Sequence, residues 1–165
     1  MELQTVSSRL SSILVLYDMH TIFFESALEG ISDIDAHRRL DTKANHIAWL
    51  TGSLVQERFE LANLLGADHK QKADDLFRDH KGIQDNQAYP PLDNFINDWK
   101  FISPILKEEL ANADDDKLNS SFEMMPGQTM TNFDLIAFST YREANCIGQI
   151  ALWRRLLGYE AMKYM

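Results

Sequence analysis

Apolar residues return at three- and four-residue steps in four long stretches of this chain. From Leu3 to Glu29, the positions Leu10, Ile13, Leu14, Tyr17, Thr21, Phe24 and Leu28 keep a helical period over about seven turns. Gly30 supplies a stop. The second stretch begins near Asp41 or Thr42, either of which could cap it, and carries Ile47, Leu50, Leu54, Phe59, Leu61, Leu64 and Leu65 up to Gly66. The segment from Ala67 to Pro90 is polar, with a short helix predicted across Lys70 to His80 and loop elsewhere. The third helix is predicted after Pro90-Pro91, with Leu92, Phe95, Ile96, Trp99, Ile102, Ile105, Leu106 and Leu110 as its stripe. Pro104 lies inside it and predicts a kink or local break. Asp114 to Asp116 reads as a turn, and Ser120 to Thr131 as irregular, with room for one short strand pair. The fourth helix runs from about Asn132 to Leu157, capped by Thr131 with Asp134 in its first turn and Arg154 and Arg155 in its last. The pattern predicts an all-α, up-and-down-type four-helix bundle with long connections, as one domain over 1–165.

Charge and cysteine content narrow the function classes. The 16 basic and 25 acidic side chains leave a net charge of −9, the wrong sign for a nucleic-acid partner. A single cysteine, Cys146, excludes an internal disulfide framework and a CxxC zinc site. No apolar run approaches the ~18 residues that span a bilayer. Met1 to Arg9 lacks the basic, apolar and small-residue order of a signal peptide. A soluble cytoplasmic protein with neither nucleic acid nor membrane as partner is the expectation. The chain has no P-loop, no Rossmann glycine pattern, no HExxH and no Gly-x-Ser-x-Gly elbow.

Two segments are more specific. One is Asn45-His46-Ile47-Ala48-Trp49-Leu50-Thr51-Gly52-Ser53-Leu54, closing with Leu64-Leu65-Gly66. The other is Arg142-Glu143-Ala144-Asn145-Cys146-Ile147-Gly148-Gln149-Ile150-Ala151-Leu152, followed by Arg154-Arg155-Leu156-Leu157-Gly158. Taken together, and with the tail Ala161-Met162-Lys163-Tyr164, they resemble the DinB-like (YfiT-like) superfamily of four-helix bundles. The resemblance follows helix order over most of the chain. It implies a homodimer, and a divalent metal such as nickel, zinc or manganese held by one His on the second helix and a His pair spaced i, i+4 on the fourth. Relatives of that kind include thiol-dependent transferases.

This chain departs from the pattern at all three ligand positions, which are Ser53, Arg142 and Cys146. A guanidinium does not lose its proton to ligate a metal. The expectation is therefore a degenerate, metal-free member, with no cofactor, that acts as a small-ligand-binding or regulatory protein. Ser53, Arg142 and Cys146 are the candidate pocket, lined further by His46, Trp49, Gln149 and Tyr17. Two alternatives stay open. One is a thiol transferase or hydrolase built on Arg142 and Cys146, and the other is a structural interaction protein. Arg142 could receive a small anionic ligand, or it could be neutralised by an internal acid such as Glu57 or Glu60. Cys146 reads either as a nucleophile activated by that arginine or as a small buried hydrophobe. Gln149 is expected to hydrogen-bond across the bundle. The other histidines on loops, His37, His69 and His80, read as surface residues.

Overall fold

The computed structural model describes residues 5–164, and they are mostly helical. The expected start of the first helix at Leu3 lies outside the described residues. A short 3-10 turn, Ser8–Leu10, leads into α1, Ser11–Leu28. After it come α2 (Asp33–Ala36), α3 (Ile47–Leu65), α4 (Asp74–Phe77), α5 (Leu92–Asn112), α6 (Asp115–Asn119) and α7 (Asn132–Leu156). One antiparallel hairpin, β1 (Ser121–Met125) and β2 (Gln128–Thr131), precedes α7.

Several boundaries differ from the sequence reading, each for a local reason. Helix α3 starts at Ile47 rather than near Asp41, because Leu40 and Asp41 adopt left-handed backbone angles of 46° and 58° in φ. The Thr42 hydroxyl donates to the Arg39 carbonyl, closing a turn there instead of capping a helix. His46 is the true cap: its Nδ1 accepts the Trp49 N–H at 3.1 Å. Helix α5 passes through Pro104 without the expected break. Pro104 and Lys100, whose carbonyl it leaves without a helical donor, both lie on the exposed side, where water can serve that oxygen. Asp114 caps α6 instead of forming a simple turn. The hairpin turns at Pro126-Gly127, where Gly127 takes a φ of 77° that a side chain would resist. The expected cap of the last helix is present as a full capping box between Thr131 and Asp134.

The four long helices close a ring of contacts: α3 packs against α5 and α7, and α1 packs against α7 and α5. Their directions follow from who meets whom. Arg9, before α1, lies over Phe133 at the start of α7, and Arg154 at the end of α7 reaches the Ala27 carbonyl at the end of α1. Those two helices therefore run the same way. Gly52 lies by Phe95 and Phe59 by Phe101, so α3 and α5 also run together. Lys100 pairs with Glu25 and Lys107 with Asp18, which sets α5 against α1. The order is up, down, down, up, which corrects the alternating order expected from an up-and-down bundle. The 26-residue connection between α3 and α5 (66–91) is the reason, since it is long enough to carry the chain back to the end where α3 began.

A buried ionic cluster ties all four helices together. Arg58 of α3 is 1% exposed and Glu143 of α7 is 5% exposed. Arg58 Nε and Nη2 donate to the two oxygens of Glu143 at 2.5 and 2.9 Å. Its Nη1 donates to the hydroxyls of Thr21 on α1 and Ser103 on α5, at 2.9 and 2.7 Å. The guanidinium lies between the rings of Tyr17 and Trp99, 4.0 and 3.5 Å from their centroids. His20 Nδ1 sits 3.2 Å from Glu143 Oε2. Burial works against the Glu143 carboxylate, but Arg58 and then His20 outweigh it and hold its pKa below the usual value.

Breaking one arm of this cluster leaves a buried charge alone. Arg58→Met should cost about 3–5 kcal/mol of unfolding free energy in urea titrations, and Arg58→Met with Glu143→Leu should recover most of that loss. A single variant as stable as the double one would show that the pair does not couple.

Candidate functional site

Consecutive residues of α3 and α7 face different ways. Glu57 and Arg58 follow each other on α3, and Arg142 and Glu143 follow each other on α7. Neighbours on a helix are turned by about 100°, so one residue of each pair enters the core and the other faces outward. Because α3 and α7 are antiparallel, the outward pair also meets with opposite charge. Arg142 Nη1 donates to Glu57 Oε2 at 2.6 Å, and Arg142 Nη2 donates to Ser53 Oγ at 2.6 Å. The Ser139 hydroxyl donates to Glu57 Oε1 at 3.2 Å. Ser53 and Arg142, two of the positions singled out in the sequence, are thus in direct contact across the helices.

This group is part of the lining of a cavity of about 630 Å³. Helices α3 and α7 form one wall, and the segment from Phe77 to Lys81 forms another. The hairpin covers it with Phe122, Met124, Met125 and Met130. Trp49, Leu61, Leu64, Leu135 and Phe138 complete the apolar surface, and Gln56 and Glu60 add polar groups. Phe77 can close this side because residue 52 is glycine. A Cβ there would come within 2.2 Å of the Phe77 ring and 2.7 Å of Phe95. The indole N–H of Trp49 is buried with no acceptor among the described residues. A second, shallower cleft of about 750 Å³ lies between the end of α1 and the start of α5, but its Lys100 is already paired with Glu25.

Burial raises the Glu57 carboxyl above the ordinary range despite its arginine partner. Burial also opposes the charge on Arg142, yet Glu57 overcomes it and the guanidinium is held charged more firmly than usual. The arginine is therefore neutralised by an internal acid, Glu57, and Glu60 is not its hydrogen-bond partner.

The remaining expected lining residues separate. Trp49 lines the cavity, whereas Cys146, His46, Tyr17 and Gln149 do not. Cys146 is buried, and desolvation pushes its thiol pKa up although Arg142 pulls the other way. His46 is engaged as the α3 cap and packs on His37 and Tyr89. Tyr17 faces the core, donates to the Ser103 carbonyl at 2.7 Å, and has its hydroxyl pKa raised by burial. Gln149 is exposed and donates to Asn145 of its own helix instead of reaching across. The hairpin methionines, which form the cover, were missed in the sequence because they belong to no helical stripe. Arg58 was also missed, since a lone basic residue between apolar positions reads as surface.

The resemblance implies a divalent metal at positions 53, 142 and 146, and the donor set does not fit one. The guanidinium of Arg142 is permanently charged, is hydrogen-bonded to Glu57 and Ser53, and has no lone pair to offer a metal. Among the described residues no cluster of three or more His, Cys, Asp or Glu side chains is arranged to hold a metal ion. No helix among them is long and apolar enough to cross a membrane. A scan against protein-family models found no matching family, and a search of curated proteins found no match to this chain.

Two measurements follow. Cys146 should react with Ellman's reagent at least about tenfold more slowly in the native protein than in urea, and equal rates would show an accessible thiol. His46 is driven down to about 4 by burial, with His37 and Arg39 adding to the effect. The folded state therefore keeps it neutral where the unfolded chain takes a proton. Its contribution to stability is complete above about pH 6.5 and is lost as the pH falls towards 4. His46→Asn keeps a capping side chain, so its stability should fall less than that of the wild type across that window. Parallel pH profiles would remove His46 as the cause.

Proposed function

We propose that this chain is a DinB-like (YfiT-like) four-helix-bundle protein that binds a small molecule in the α3–α7 cavity and uses no divalent metal. The observation that carries the reading is the Arg142–Glu57–Ser53 group beside an open, mostly apolar cavity. A space open beside the pair favours a binding role over a purely structural one. Helix order, the helix-end motifs around Gly66 and Gly158, and the closeness of positions 53 and 142 support the family reading. A ligand-binding or regulatory role in the cytoplasm is the form we favour. A homodimer belongs to the same reading: Val15, Met19 and Ile22 leave an apolar stripe exposed along α1. A thiol-based enzyme is the weaker reading, because the buried Cys146 does not line the cavity.

Elemental analysis tests the metal part of the proposal. After incubation with zinc, nickel and manganese and then desalting, tag-free protein should retain less than about a tenth of an equivalent of any of them. Near one equivalent would overturn it. The placement of the family positions is tested by Ser53→His, Arg142→His and Cys146→His together. That folded variant should gain divalent-metal binding, and no gain would count against the alignment with the family.

A further inference from the structure

Resting on the reading that this cavity takes a small molecule, we infer that its ligand is uncharged and largely apolar. The lining offers little to a charged group. Its two Lys/Arg side chains are Arg142, which is paired with Glu57, and Lys81, which is exposed to water. Arg142 gives one terminal nitrogen to Glu57 and the other to Ser53. Lys81 Nζ donates to the Asp75 carbonyl.

An anionic ligand would compete with Glu57 for the charge of Arg142, and at full strength would displace it. The displaced carboxylate would stay in a place where burial already disfavours its charge, with Glu60 on the same lining. A cation finds Glu57 already countered by Arg142 and hydrogen-bonded by Ser139, and Glu60 exposed to water and accepting from Gln56. The Arg142–Glu57 pair is neutral as a unit. What remains is apolar surface from Trp49, Leu61, Phe77, Leu135 and Phe138, together with the hairpin methionines, whose flexible thioethers adapt to varied shapes.

Two dyes with the same aromatic body test the charge preference directly. N-phenylnaphthylamine is uncharged, and anilinonaphthalene sulfonate carries one negative group. Titrated by fluorescence into the intact wild-type protein at neutral pH, the uncharged dye should bind at least about tenfold more tightly than the sulfonate. Glu57→Gln releases Arg142, and should raise the affinity for the sulfonate by about tenfold. Adding Arg142→Gln to that variant should remove the gain. Sulfonate binding to the wild type as tight as that of the uncharged dye overturns this inference and leaves the cavity reading standing. Absence of uncharged-dye binding overturns the cavity reading, and the inference with it. The same holds if affinity is unchanged in Leu135→Trp, which fills the cavity and whose folding is checked by circular dichroism.

Discussion

A guanidinium in the middle of a helical core is the constraint on which the rest of this structure depends. Arg58 cannot shed its charge, so its buried donors need acceptors. Those acceptors come from three other helices: Thr21 on α1, Ser103 on α5 and Glu143 on α7. The aromatic faces of Tyr17 and Trp99 cover it, and Phe24 stacks on Trp99 at 3.9 Å. No two helices can slide past each other without leaving one of these groups unpaired. Ser103 also donates to the Trp99 carbonyl, and Tyr17 donates to the Ser103 carbonyl, so the acceptors are themselves held in place. An apolar core of the same volume could be as stable. The specific effect of this cluster is to select one register.

That register also builds the cavity edge. Once Arg58 meets Glu143, the next residues outward, Glu57 and Arg142, are brought into contact with their charges reversed. The inner pair is sealed in the core, and the outer pair remains partly exposed beside the cavity. The same sequence neighbours therefore serve stability on one face and shape a binding surface on the other. Arg154 gives a parallel case at the helix ends. It is buried with no carboxylate hydrogen-bonded to it among the described residues, and donates to the carbonyls of Ala27, Glu29 and Glu160. Its charge is held by the negative end of α1, which fixes the two parallel helices end to end.

The cover of the cavity is built differently from its walls. The hairpin is anchored at its base, where the Asn132 N–H donates to the Ser120 carbonyl and the Asn132 side chain donates to the Lys117 carbonyl. Its apolar residues meet the cavity rather than the main core. Gly52 acts on the opposite side, by letting Phe77 approach α3 more closely than any side chain would allow. A site of this kind is shaped by a rigid pair of helices and closed by short, adaptable elements.

The four long helices were legible in the sequence because helical periodicity and end signals are local. Thr131 with Asp134, the stop at Gly66, and the apolar stripe of α5 needed no knowledge of the rest of the chain. Helix direction was not local: it turns on where the polar 66–91 connection delivers the chain, and no periodicity reports that. The start of α3 was hidden by a turn in which Leu40 and Asp41 take left-handed angles that their residue types do not advertise. At the candidate site, the sequence by itself singled out Arg142 and an acid such as Glu57 that could answer its charge. Only the tertiary structure decided which acid does so, and that Cys146, His46, Tyr17 and Gln149 lie away from the space. It also showed that a cavity survives beside the pair. The physical reason is that charge and hydropathy are properties of single residues, whereas pairing and enclosed volume belong to surfaces that meet only after the helices pack.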